Sequence, residues 1–431
     1  MKSSSRTVRM RRFLGSVVVD TRPLRIPAYR RLWASGAVTA IGSQLTAVAV
    51  PKQIYDLTGS SGFVGLSGAV ALVPLLVFGL WGGAIADTVD RRSLMIFSNI
   101  GVAVTSALLW LQAWLGVGSV WPVLILLALN QVFFAVNAPA RSASIARLVP
   151  NELVPPAVAL GSTTMQFGAV MGPMAAGALL PWVGLSTLYL VDTVALTLAI
   201  IGVVRLPALP PLSGPSRRAG LRDVIDGFRY LGLQKVLLAS FLLDIIAMVA
   251  GMPRALFPEM AEQTFGDPAG GGIALGWLYA AIPLGALLAG LTSGRLSRLK
   301  HHGIGVTVAV CLWGAAIAGF GLSGSLWWAV FFLILAGAAD FGSMVYRGAM
   351  LQQAATDEMR GRLQGVFIVV VAGGPRLADL THGWSGEYTG TATAATGGGI
   401  LVIVLTIAAV ALIPSFWRYR APVDAKSPQE T

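Results

Sequence analysis

Apolar runs of about twenty residues recur along the whole chain, and the loops between them hold nearly all of the charge. A helix needs about 20 mostly apolar residues to cross a bilayer. In lipid every backbone N–H and C=O must be bonded within the spanning structure, so runs of this kind are confined to helices. Twelve runs are read, near 32–55, 62–86, 94–116, 120–139, 157–181, 184–205, 236–258, 273–294, 303–323, 326–346, 363–385 and 393–414. Composition agrees: 55% of residues are hydrophobic and 12% charged, where a soluble domain carries about 25% charged residues. The 51 glycines and 23 prolines suit membrane helices better than a soluble bundle. The expectation is an all-α membrane protein of twelve transmembrane helices.

The formal net charge of +12 raises the question of nucleic acid, and the placement of the charge answers it. All but three of the Lys and Arg residues fall within 2–31, 91–92, 141–147, 205–235, 295–300, 347–362 and 418–426. These are the two ends and every second loop, the positive-inside pattern. It predicts a multi-pass protein of the cell inner membrane with both termini cytoplasmic, and it removes nucleic acid as a partner. The three exceptions are Lys52, Arg254 and Arg376. One cysteine, Cys311, excludes a disulfide framework, and three histidines show no metal-ligand spacing. Neither a metal nor a cofactor is expected. No paired catalytic acids or nucleophile–His arrangement is legible, so an enzyme is not expected. No cleavage site follows the basic first 30 residues, so no signal peptide is expected.

The runs divide into two sets of six. The expected organisation is a basic segment 1–31, a bundle 32–205, a Pro-rich connector 206–235, a second bundle 236–414 and a tail 415–431. Within the connector, 219–234 reads as amphipathic, with Leu221, Val224, Ile225, Phe228 and Leu231 on one face. Local echoes support duplication: Ala34-Ser35 and Ala239-Ser240, Pro51-Lys52 and Pro253-Arg254, Arg141…Glu152 and Arg347…Glu358. Internal symmetry of this kind belongs to transporters whose halves rock about a midplane site.

Gly83-Ala-Ile-Ala-Asp87-Thr-Val-Asp90-Arg91-Arg92 resembles the signature loop of the major facilitator superfamily, Gly-x-x-x-Asp-x-x-Gly-Arg-Arg/Lys. Asp90 stands in place of the second glycine, a variant similar to that of the enterobactin (siderophore) exporter group. Ala49-Val-Pro-Lys-Gln-Ile54, Leu206-Pro-Ala-Leu-Pro-Pro211, Gly276-Trp-Leu-Tyr-Ala-Ala-Ile-Pro-Leu-Gly285, Leu291-Thr-Ser-Gly-Arg295 and the stretch from Met350 to Arg362 resemble the same group. The resemblance implies two pseudo-symmetric six-helix bundles and export of a siderophore by alternating access against entering protons. It also implies a gating role for Gly83, Asp87, Asp90, Arg91 and Arg92. Gly168, Gly172, Pro173 and Gly177 of the fifth run look like the Gly-Pro motif of the superfamily's antiporters, with Pro283 and Gly285 as a counterpart.

An ionisable group at membrane depth is costly unless paired or hydrated, so it marks a cavity or a partner. Asp244, Asp340 and Asp379 are the proton-coupling candidates, set against helix-packing contacts; Arg376 and Asp379, three apart, also read as a structural pair. Asp192 and Glu387 sit near the outer ends of their runs. Lys52, Arg254, Arg376, Asn130 and Gln131 are the substrate-cavity candidates. Lys52 and Arg254, each just after a proline, read either as twin cations for an anionic ligand or as snorkelling side chains. Trp33, Trp81, Phe133, Phe134, Trp277, Tyr279 and Trp313 divide between ring stacking and an interfacial belt. Drug antiporters of the superfamily carry an arginine where Asn130 and Gln131 stand, which argues against a standard drug relay. The reading is a monomeric exporter of a siderophore-like aromatic or anionic small molecule. Its rivals are a broad-specificity drug efflux antiporter on the same scaffold and, more remotely, a non-transporting membrane sensor or scaffold.

Overall fold

The computed structural model describes residues 20–211, 229–291, 301–354 and 357–419, and every regular element among them is helical. Eleven long helices follow one another. In the first half of the chain they are α1 (Pro27–Thr58), α2 (Ser61–Ala86), α3 (Arg91–Trp114), α4 (Val120–Leu148) and α5 (Val154–Val204). In the second half they are α6 (Lys235–Gly251), α7 (Ile273–Leu291), α8 (His302–Gly321), α9 (Leu326–Ala354), α10 (Asp357–Thr389) and α11 (Thr391–Leu412). Ten helices among the described residues are long and apolar enough to cross a membrane; α10, with Arg376 and Asp379 in its body, falls outside that set.

α5 carries the fifth and sixth apolar runs. It breaks at Gly184, whose φ of 73° and ψ of 169° lie outside the helical region, a conformation open to glycine and closed to most L residues. The helix order therefore follows the order of the twelve runs. Other boundaries have equally local causes. α1 stops at Gly59 (φ 63°), whose N–H returns to the Tyr55 carbonyl, and α2 starts on Ser60, whose hydroxyl accepts from Phe63 N–H.

Most packing lies within each half, and the two halves meet chiefly along α2 against α10 and α5 against α7. Both seams need glycine. A Cβ on Gly177 would stand 2.6 Å from the Gly276 Cα, and one on Gly383 would stand 2.7 Å from the Gly65 Cα. The apolar cores are arranged unequally along the axis. One cluster unites both halves, from Val48, Ile54 and Leu180 to Leu256, Phe257 and Phe320, and in the second half it runs on to Tyr346, Met350 and Phe416 beside the arginine-rich loops. At the arginine-rich end two further cores are separate. Tyr29, Leu32, Met95, Leu148, Leu206 and Leu209 serve the first half, and Leu237, Phe241, Leu363 and Val366 serve the second. Large apolar side chains ring the outside, among them Trp182 (87% exposed) and Leu412 (82%), as a lipid-facing surface requires. Most of the amphipathic stretch expected at 219–234 lies outside the described residues, as do the two tails.

Candidate functional site

The signature loop sits between α2 and α3. Asp90 caps α3: one oxygen accepts from Ser93 N–H at 2.9 Å, and the other accepts from Leu209 N–H at 2.7 Å. Arg91 N–H in turn donates to the Leu209 carbonyl at 3.0 Å, Arg92 donates to the Val204 carbonyl, and Arg147 to that of Pro210. The start of the connector is thus strapped to the arginine-rich face of the first half, with Leu206 and Leu209 buried beneath it. Asp87 meets Arg91 at 3.4 Å, and Gly83 lies in the last turn of α2. An acid at position 90 supplies a carboxylate where glycine would supply none. Asp90→Ala should lose a cap and a strap bond, costing about 1–2 kcal/mol; hydrogen exchange at the Leu209 amide, faster by about tenfold, is the readout.

At the opposite end the halves are latched. Lys52, 1% exposed, donates to Asp56 on its own helix, to the Glu262 carboxylate of the other half at 3.0 Å, and to the Ala269 carbonyl. Tyr55 accepts from the Gln263 side chain at 2.7 Å. The Ser61 hydroxyl donates to Glu259 at 2.5 Å and the Ser60 hydroxyl to Glu387 at 2.6 Å. Lys52 is therefore neither a free cation for a ligand nor a snorkelling side chain, because two carboxylates and a carbonyl already hold it.

Arg254, half-buried, stands over the Tyr279 ring at 6.0 Å. Arg376 and Asp379, three apart on α10, both come against Gly68 of α2, where an added Cβ would meet the Arg376 carbonyl at 2.7 Å. The Asp379 Oδ1 is buried without a hydrogen-bond partner among the described residues. Asp379 faces Gly68 of α2, where an added Cβ would meet its Cβ at 2.6 Å. Two cations, one acid and a ring thus gather on the seam between the halves.

Asp244 and Asp340 come together through a residue that charge pattern assigned to a cytoplasmic loop. Arg347 is 7% exposed, pairs with the Asp244 carboxylate, and lies 3.8 Å from Asp340. The Asp244 side chain is 3% exposed and that of Asp340 32%. One guanidinium thus stands between a sealed acid and an accessible one. Arg141, its counterpart in the first half, donates instead to the Leu32 carbonyl of α1 at 2.6 Å. The buried acid of the first half is Asp192, whose Oδ2 accepts from Thr46 and Ser106 at 2.6 and 2.7 Å and joins α5 to α1 and α3.

The remaining candidates separate by neighbour. Asn130 donates to Thr105 of α3 at 2.9 Å and is committed to packing, whereas Gln131, half-buried, has no hydrogen bond among the described residues. In the Gly-Pro motif of α5, Gly168 and Gly172 pack against α1, the latter where a Cβ would meet Gln44 at 2.4 Å. Pro173 and Gly177, also on α5, face Gly276 of α7. Of the aromatics, Trp313 and Tyr279 are core residues, while Trp81 (61%) and Phe134 (47%) face outward. No group of three or more His, Cys, Asp or Glu able to hold a metal ion occurs among the described residues.

Helices paired across two glycine seams and latched at one end suit a membrane transporter, and comparison with known proteins places the chain in the major facilitator superfamily. The chain belongs to the family described as transmembrane secretion effector, whose profile matches residues 19–424. It is 30% identical over 383 residues to the enterobactin exporter EntS of Shigella boydii serotype 4 (strain Sb227), covering 88% of this chain and 90% of that one. The EntS protein of Escherichia coli O81 (strain ED1a) matches with the same identity and coverage. Among solved structures, a mutant peptide transporter POT in complex with alafosfalin superposes with a TM-score of 0.72 at 12% identity, covering 93% of this chain and 100% of that one. A bacterial homolog of the human lysosomal transporter Spinster, inward-facing and unoccupied, gives 0.66 at 15%, covering 92% and 97%. The protein is a multi-pass membrane transporter of small molecules, and its relatives are transporters rather than enzymes.

Proposed function

We propose that the chain exports a siderophore-like aromatic or anionic molecule from the cytoplasm across the inner membrane by alternating access, in exchange for protons. The observation that carries this reading is the seam group. Arg254 stands over the Tyr279 ring, and Arg376 and Asp379 sit on the α2–α10 seam. A catecholate or carboxylate ligand matches that excess of positive charge and that ring. Similarity to enterobactin exporters over most of the chain supports the same substrate class. Segments 32–205 and 236–414 act as the two rocking bundles, as a monomer, with both termini and the arginine-rich loops in the cytoplasm. The united core then closes the outer side, and the separate cores leave the cytoplasmic side free to admit substrate.

Asp340 and Asp244 carry the proton in this scheme, because they share one arginine and differ in access. A proton on Asp340 lets Arg347 settle wholly on Asp244, and its loss makes the two acids compete. The experiment is accumulation of a catecholate siderophore in inverted vesicles under an imposed pH gradient. Arg254→Gln and Arg376→Gln should each raise KM for the anionic ligand about tenfold, the equivalent of one lost charge-assisted bond. Gradient-driven uptake of hydrophobic drugs with no uptake of the siderophore would overturn the substrate assignment in favour of a drug antiporter.

A further inference from the structure

Between the arginine-rich end of α1 and the second arm of α5 lies a groove of about 200 Å3, lined by Arg31, Ser35, Val38, Leu198, Gly202 and Arg205. Its chemistry changes along its length. At the mouth, Arg31 donates to the Arg205 carbonyl at 2.8 Å, which holds the two residues side by side. Neither guanidinium has an acidic partner among the described residues. The nearby carboxylates are engaged elsewhere: Asp20 pairs with Arg22 at 2.6 Å, and Asp192, deeper in α5, faces Thr46 and Ser106. Just inside the mouth, the Ser35 side chain is 4% exposed and its Oγ has no hydrogen-bond partner. Beyond it the walls are apolar and open to the outside, with Val38 at 37% and Leu198 at 57% exposure; Ile41 and Ile201 continue the same faces.

Two cations, then a buried hydroxyl, then an open apolar channel is the complement of a molecule with an anionic head, an ester-level acceptor and a hydrocarbon tail. We propose that this groove binds one anionic phospholipid of the cytoplasmic leaflet, its phosphate on Arg31 and Arg205, its glycerol ester on the Ser35 hydroxyl, and an acyl chain along Val38 and Leu198. The leaflet follows from the arginine pattern, and the site does not depend on the transported substrate. Basic pockets between helices at the cytoplasmic face suit such headgroups. A bound lipid would brace α1 against the second arm of α5, away from the seam α5 makes with α7.

Native mass spectrometry of the delipidated full-length protein tests this with phosphatidylglycerol, phosphatidylcholine and inorganic phosphate as probes. The first phosphatidylglycerol should bind at least about tenfold more tightly than phosphatidylcholine, and Arg31→Gln with Arg205→Gln should weaken it by about 10- to 30-fold. Val38→Phe, which keeps both charges and narrows the channel, should weaken the lipid as well, and Arg25→Gln with Arg30→Gln should leave it unchanged. Equal lipid retention by the Arg31/Arg205 pair, equal loss in the Arg25/Arg30 pair, or full displacement by inorganic phosphate would each overturn the assignment. If the Arg31/Arg205 variant does not fold, undiminished binding to Val38→Phe overturns it alone.

Discussion

Arg347→Met should cost about 3–5 kcal/mol of stability and abolish gradient-driven transport. The side chain is buried between Asp244 and Asp340, so its removal leaves the sealed Asp244 carboxylate without a counter-charge. Breaking a buried pair from one side carries that cost because the remaining ion has lost both water and partner. Asp244→Asn in the Arg347→Met background should recover most of the loss, since no buried acid then remains; thermal unfolding of the single and double variants measures the coupling. Asp340→Asn separates structure from transport. Its side chain is 32% exposed, so stability should change little while accumulation driven by a pH gradient falls at least about tenfold and substrate counterflow persists. If Asp244→Asn and Asp340→Asn both leave gradient-driven accumulation intact, the acids are packing residues and the coupling reading is wrong.

Lys52→Met should move the conformational balance toward a state open at the latched end by roughly a hundredfold. Lys52 holds Glu262 across the seam while sealed from solvent. A hydrogen bond to a charged group contributes about 1.5–3 kcal/mol, and about 3 kcal/mol is two decades in a population ratio. Spin-label distances across the latched ends of α1 and α7 should lengthen, and Ser61→Cys should become reactive to an impermeant reagent. Unchanged distances would mean that the united apolar core and the glycine seams close this end without the ion pairs. Gly276→Leu tests that alternative from the other side: a side chain set within 2.8 Å of the Pro173 carbonyl should force the seam apart even with Lys52 in place.

The broad architecture was legible because its cause is local and repeated. Each run of apolar residues must become a helix in lipid whatever surrounds it, and glycine at positions 59 and 184 punctuates the runs. Seam residues Gly177 and Gly276 stood inside recognisable motifs for the same reason. The site was read less well. Asp244 and Asp340 stood out as acids at membrane depth, yet Arg347 was hidden among loop arginines, since arginines serving topology and arginines serving a buried pair look alike in one dimension. The Arg141…Glu152 and Arg347…Glu358 echo was the one signal that set it apart. The partners of Lys52 were illegible for the converse reason. Its partner Glu262 lies 210 residues away, and neither periodicity nor spacing joins residues so distant. The strap from Asp90 to Leu209 was invisible in the same way, although the acid itself was seen to depart from the usual loop.

By itself the amino-acid order determined that this chain crosses a membrane many times as helices, in two similar sets, with its arginines gathered at one face. Those properties follow from transfer free energies that act residue by residue. Only the tertiary structure decided which charges neutralise one another, which end is closed, and where two arginines and a hydroxyl open onto an apolar groove. Such features rest on contacts between helices far apart in sequence, where a shift of an ångström decides whether an ion is paired or stranded.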